Sequence, residues 1–264
     1  MSIAAGRDTI AAAFAASDKR AALMPYLMGG FPDLATSRAI GEAYAEGGAD
    51  LVELGVPFSD PLADGPVIHA AGTAALEAGA TLHDVLEVGR ALTESVPVVL
   101  MCYANLVLAR GPERFADGLA ERGISGLIVP DLPLEEAGEA LAACDAAGVA
   151  LVALVAPTTP EARLAAIGRA ARGFVYTVAV TGTTGEREGL ADELPAILAR
   201  TKSNADVPVA LGFGIGTPEA ATLAADAGAD GVIVGSRLVR AAAEERDPVS
   251  AVRDLVARFA AALG

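Results

Sequence analysis

The chain has no tryptophan, two cysteines, two histidines, two lysines and only 4% aromatic residues in 264. Each scarcity closes off a class of chemistry. Cys102 and Cys144 are too few for a disulfide framework or a cysteine metal cluster, and their apolar surroundings read as reduced core thiols. His69 and His83 stand fourteen residues apart without ligand spacing and suit polar helix surfaces, so no metal site is expected. Lys19 and Lys202 both fall outside the strand-like runs, which argues against a strand lysine forming a Schiff base. Cations are short overall: 19 Lys and Arg face 34 Asp and Glu, a net charge of −15. Nucleic acid and anionic membrane therefore find no basic field here. No apolar run approaches the ~18–20 residues of a membrane span. The first twenty residues carry scattered charges rather than a signal peptide's continuous apolar stretch. A cytoplasmic globular protein is expected, with 53% hydrophobic and 20% charged residues.

What the chain does have is a repeated alternation. Short apolar runs occur at 21–28, 49–56, 96–103, 124–131, 149–157, 173–180, 207–214 and 230–236. Most are apolar at successive positions, as a parallel strand covered on both faces requires. Helical stretches such as TSRAIGEAYAEGG and PEAATLAADAG lie between them and end in Gly just before the next run. Eight strands in strict alternation predict an α/β fold, a (β/α)8 barrel built as one domain over residues 1–264. A doubly wound open sheet is the alternative, and it more often uses five or six strands. Ile3, Ile10 and Phe14 predict an extra N-terminal helix. That helix and the 83–93 stretch are expected outside the eightfold core.

In such a barrel the loops after the strands form the working face. ELGVPFSDPLADGP (53–66) is the most chemically loaded of them. Strand alternation puts Leu51, Glu53 and Gly55 on one face and Val52 and Leu54 on the other. With the second pair against the helical shell, Glu53 points into the barrel mouth. A carboxyl among apolar walls has its charged form disfavoured, and its pKa rises towards neutrality, where one group can both give and take a proton. An interior Arg pairing with Glu53 is the structural alternative, yet no Arg or Lys occupies a strand run. Asp60 and Asp64 sit on the following proline-stiffened loop. Local turn bonding by both is the ordinary alternative, but on a stiffened loop above an inward Glu at least one is expected to serve the site.

Gly-rich turns follow the last strands: TGTTGE (181–186), GFGIGTPE (212–219) and GSRL (235–238). Backbone N–H groups at such strand-to-helix turns can face an anion. The loops after strands seven and eight are a frequent phosphate site in barrels. Backbone donors would let so acidic a chain hold a phosphate without a basic patch. VTGTTGEREGL (180–190) has the composition of a lid. Inward positions near the strand ends supply Tyr26, Met101, Tyr103, Ile128, Leu154, Tyr176 and Phe213 as walls for a planar apolar group. Core filling is the usual role of any one of them. Together they describe a substrate with an aromatic head and a phosphate tail.

The chain resembles the tryptophan synthase alpha subunit family. The resemblance rests on ELGVPFSDPLADGP at 53–66, YANL at 103–106, PDLPLEE at 130–136, the TG-rich loop at 181–185, GFGI at 212–215 and GS at 235–236. It implies an indole-3-glycerol-phosphate lyase, with Glu53 as acid/base and Asp64 stabilising the positive charge on the indole nitrogen. It further implies Gly185, Gly214, Gly235 and Ser236 as phosphate donors and Thr184 as the lid residue meeting Asp64. No cofactor is implied in this chain. Pyridoxal phosphate belongs to a partner beta subunit, with which family members form an α2β2 heterotetramer and to which they pass indole. The lid departs from the family's SRxGVTG in carrying Val180 in place of Arg. Two other readings stand beside this one: an isomerase or aldolase of sugar phosphates, and a regulatory subunit that binds a phosphate ligand.

Overall fold

The computed structural model describes residues 6–178, 187–212 and 214–264. Eight parallel strands close a barrel in sequence order: β1 (Ala22–Met28), β2 (Val52–Gly55), β3 (Val98–Met101), β4 (Gly126–Ile128), β5 (Ala150–Val155), β6 (Val175–Val178), β7 (Val209–Gly212) and β8 (Gly231–Val234). Closure is made by β1 against β8, with Ala22 opposite Gly231 and Pro25 opposite Val234. Around and below the barrel lie α1 (Gly6–Ala16), α2 (Leu34–Glu46), α3 (Pro66–Glu77), α4 (Leu82–Leu92), α5 (Ala104–Leu108) and α6 (Pro112–Ala120). The shell continues with α7 (Gly138–Ala147), α8 (Glu161–Ala170), α9 (Arg187–Lys202), α10 (Pro218–Asp226), α11 (Ser236–Glu244) and α12 (Pro248–Leu263). Each strand falls inside its apolar run and is shorter than it, because the run's ends bend into the αβ and βα turns.

Burial divides the strand residues by parity. Met24, Leu51, Val99, Ile128, Val152, Tyr176, Ala210 and Ile233 form an inner cluster, while Leu23, Val52, Leu54, Leu100, Leu127, Val175 and Val232 pack against the helices. The closed sheet has one face on a side-chain-filled interior and the other on the shell, so both alternating sets must be apolar. The N-terminal helix α1 stoppers the bottom. Ile10 is fully buried and fits beside Gly126 and Gly173, where a side chain would crowd its Cδ1, and Phe14 packs against Phe174 at 5.9 Å between ring centres. Ile3 lies outside the described residues.

One expectation needs correction. The 83–93 stretch is not outside the barrel: α4 is the shell helix between β2 and β3, burying Val85, Val88 and Leu92, with Gly89 close against Leu54 and Ile124. The added element is α3, which lies over the mouth with Ile68 and Ala71 against Tyr26 and Met28. Periodicity finds a helix but cannot say which of two consecutive helices takes the shell position.

Both lysines do the same work at the barrel floor. Asp50 and Asp230 end matching Gly-Ala-Asp turns. Asp50 accepts the Leu23 N–H at 2.7 Å and pairs with Lys19 at 3.0 Å; Asp230 accepts the Val209 N–H at 2.9 Å and pairs with Lys202 at 2.7 Å. The first pair is nearly shielded, its side chains 12% and 11% exposed, against 42% and 34% for the second. Removing one partner of a shielded pair strands the other charge. Asp50→Ala is therefore expected to lower unfolding free energy by about 3 kcal/mol in urea titrations, and Asp230→Ala by clearly less.

Candidate active site

Glu53 is the one buried charged residue among the described residues, at 1% exposure. It stands mid-strand on β2, with Tyr26 of β1 and Val99 of β3 as its register partners. Its Oε2 is buried without a hydrogen-bond partner. Burial first, and the nearby Asp64 charge second, push its carboxyl up to about 8. At neutral pH Glu53 therefore carries its proton. A single side chain in this state is a competent acid that becomes a base once it has given the proton up.

The mouth above it is a cavity of about 1130 Å³. Glu53, Asp64, Tyr26, Met101, Ile128, Leu154 and Tyr176 all line it. Two strand glycines make room for the aromatic walls. A Cβ at Gly55 would collide with the Tyr26 hydroxyl, and one at Gly212 with that of Tyr176. Phe213 lies outside the described residues. Tyr103 does not line the cavity, contrary to expectation. It is 2% exposed beneath the 56–65 loop, stacks on Phe58 with ring centres 5.2 Å apart, and accepts the Ala63 N–H at 3.0 Å.

That placement separates the two loop aspartates. Asp64 faces the cavity, its carboxyl raised by burial against the opposing pull of the Tyr103 hydroxyl and His69. Asp60 is exposed and takes the Ser59 hydroxyl at 2.6 Å, a local turn bond. Asp131, which sequence reasoning left unassigned, lines the mouth and accepts the Ala104 N–H at 2.8 Å, capping α5.

Gly214, Gly235 and Ser236 line the same cavity. Gly214 has φ +82°, a left-handed turn that a side chain would strain, and Gly235 is the N-cap of α11 with no side-chain cap. The first N–H groups of α11 are thus left for an anion. Arg237 and Arg240 line the cavity too, so cationic side chains stand near the α11 N-terminus. Their i, i+3 spacing in GSRLVR was the available signal that both share one helix face. Thr184 and Gly185 lie outside the described residues.

A sequence profile of the tryptophan synthase alpha chain family matches residues 13–262. The chain belongs to that family. The tryptophan synthase alpha chain of Prochlorococcus marinus is 48% identical over 226 residues, 85% of this chain and 82% of that one. Among solved structures, Mycobacterium tuberculosis tryptophan synthase superposes with a TM-score of 0.89 at 39% identity, covering 98% of both chains. The Pyrococcus furiosus tryptophan synthase α2β2 complex gives 0.83 at 35% identity, covering 91% of this chain and 98% of that one. Membership in the tryptophan synthase alpha family makes the chain a lyase subunit of tryptophan biosynthesis.

Proposed function

We propose that this cavity cleaves indole-3-glycerol phosphate to indole and glyceraldehyde 3-phosphate, with Glu53 and Asp64 as the chemical pair. The observation that carries the reading is a buried carboxyl, its Oε2 without a partner, lining the same apolar cavity as Gly214, Gly235 and Ser236. Glu53 delivers its proton to C3 of the indole ring. The positive charge that results at the ring nitrogen is balanced by Asp64. The carboxylate left on Glu53 takes the proton from the glycerol hydroxyl as the C3 side-chain bond breaks. The bond electrons return to the ring, the oxygen becomes the aldehyde, and Glu53 regains its starting state. Met101, Ile128, Leu154 and Tyr176 wall the ring, and Gly214, Gly235, Ser236, Arg237 and Arg240 hold the phosphate.

The reading gives this chain no cofactor of its own. Pyridoxal phosphate belongs to a beta subunit, and the likeness to an α2β2 complex supports that partner. Leu62 and Leu108, 89% and 61% exposed on loops and helices that follow β2 and β3, offer apolar surface at the mouth for it. No helix among the described residues is long and apolar enough to cross a membrane; the cytoplasm is the compartment this reading proposes. Residues 1–264 are read as one domain, because closure needs both β1 and β8. Indole release from indole-3-glycerol phosphate, followed chromatographically with and without a beta subunit, tests the reading. Stoichiometric indole and triose phosphate are expected, and a chain inert in both conditions contradicts it.

A further inference from the structure

Two buried polar groups beside each other in the cavity wall have almost nothing to bond. Glu53 Oε2 has no partner. The hydroxyl of Tyr26, on the neighbouring strand and in register with Glu53, has only Met28 Sδ at 3.9 Å, a weak acceptor. Position 55, two residues above Glu53 on the same inward face, is a glycine whose missing Cβ leaves the space the Tyr26 hydroxyl occupies. A phenylalanine at 26 would present the same ring to the pocket, so the apolar wall alone does not call for the oxygen. It is nevertheless buried, at a cost unless a partner arrives.

We propose that Tyr26 is a positioning residue for Glu53, its hydroxyl turning from Met28 Sδ to donate to the Glu53 carboxylate whenever that group has lost its proton. The inference rests on the role given to Glu53 above. While Glu53 is protonated, the phenol rests on sulfur. When Glu53 ionises, a donor stands ready on the neighbouring strand, and a change in the Glu53 side-chain torsions would bring its carboxylate to that hydroxyl. Burial, then the charges of Asp64 and Glu53, keep the Tyr26 proton bound well above the ordinary phenol range, so the hydroxyl stays a donor throughout. The titratable groups around the pair are Asp64 from the β2–α3 loop, Tyr103 after β3, Tyr176 on β6, and His69 of α3 acting on Asp64.

The test is carboxyl NMR of protein carrying 13C-labelled glutamate, with the Glu53 signal assigned by its loss in Glu53→Gln. Tyr26→Phe removes one oxygen and is expected to raise the Glu53 titration midpoint by about one pH unit. Met28→Leu, which removes the sulfur and keeps the hydroxyl, is expected to leave the midpoint in place or lower it. An unchanged midpoint in Tyr26→Phe overturns the proposal, as does an equal rise in Met28→Leu, which would assign the shift to packing. No substrate is used, so a chain inert on indole-3-glycerol phosphate contradicts the proposed reaction and leaves this result standing on its own.

Discussion

Glu53→Gln is expected to slow indole release by ~10²–10⁴-fold, the range for a positioned acid or base, while KM changes little. The amide keeps the shape and the burial of the side chain but has no proton to deliver to carbon. The phosphate end, where Gly214, Gly235, Ser236, Arg237 and Arg240 line the cavity, is untouched, so binding survives. Asp64→Asn is expected to reduce kcat comparably, because the charge it balances exists only as the ring is protonated. Asp60→Asn serves as the control. Asp60 is exposed and bonded to Ser59, so that variant should retain wild-type turnover. Steady-state assays of the three variants check the set. Turnover within tenfold of wild type in Glu53→Gln would remove the mechanism.

The same substitution is expected to stabilise the folded chain at alkaline pH. An unfolded glutamate ionises near pH 4.5, whereas Glu53 in the folded state holds its proton to about 8. Below both values the proton is bound in either state and costs nothing. As pH rises between them the unfolded state releases its proton and the folded state does not, so stability falls with pH. Asp64, also raised by burial, adds a contribution of the same sign. The wild type should therefore lose up to roughly 4 kcal/mol between pH 5 and 9 through Glu53. Glu53→Gln should lack that loss and show the higher urea midpoint at pH 9, with little difference at pH 5. A functional group held against its own solvation in this way stabilises chemistry at the expense of the fold.

Much of this was legible before any coordinates. Alternation along ADLVELG fixed which way Glu53 faces, because a one-residue slip in a covered strand would put Val52 and Leu54 into the mouth. The glycines before the strands marked the turns, and Gly148, at φ +77° after α7, caps its helix as expected. What stayed hidden depended on contacts distant in sequence. The residues alone did not say which loop aspartate faces the cavity, although the family resemblance pointed to Asp64; Tyr103, forty residues beyond Ala63, holds the Ala63 N–H and the loop with it. The same contact explains why Tyr103, inward by position, supports the loop and does not wall the cavity. Gly55 and Gly212 each make room for a tyrosine from the preceding strand, a contact that spacing along the chain does not reveal. The pairing of both lysines with Gly-Ala-Asp aspartates needed the closed barrel to bring the floor together.

The first step of the proposed cleavage needs Glu53 to carry a proton before substrate arrives. A carboxyl titration of the wild type, read at the assigned Glu53 resonance without ligand, measures that protonation directly. A midpoint raised to about 8 is expected from the burial of the carboxyl and the Asp64 charge near it. A midpoint near 4.5, the value of a solvated glutamate, would show a charged group at neutral pH and contradict the mechanism at its first step.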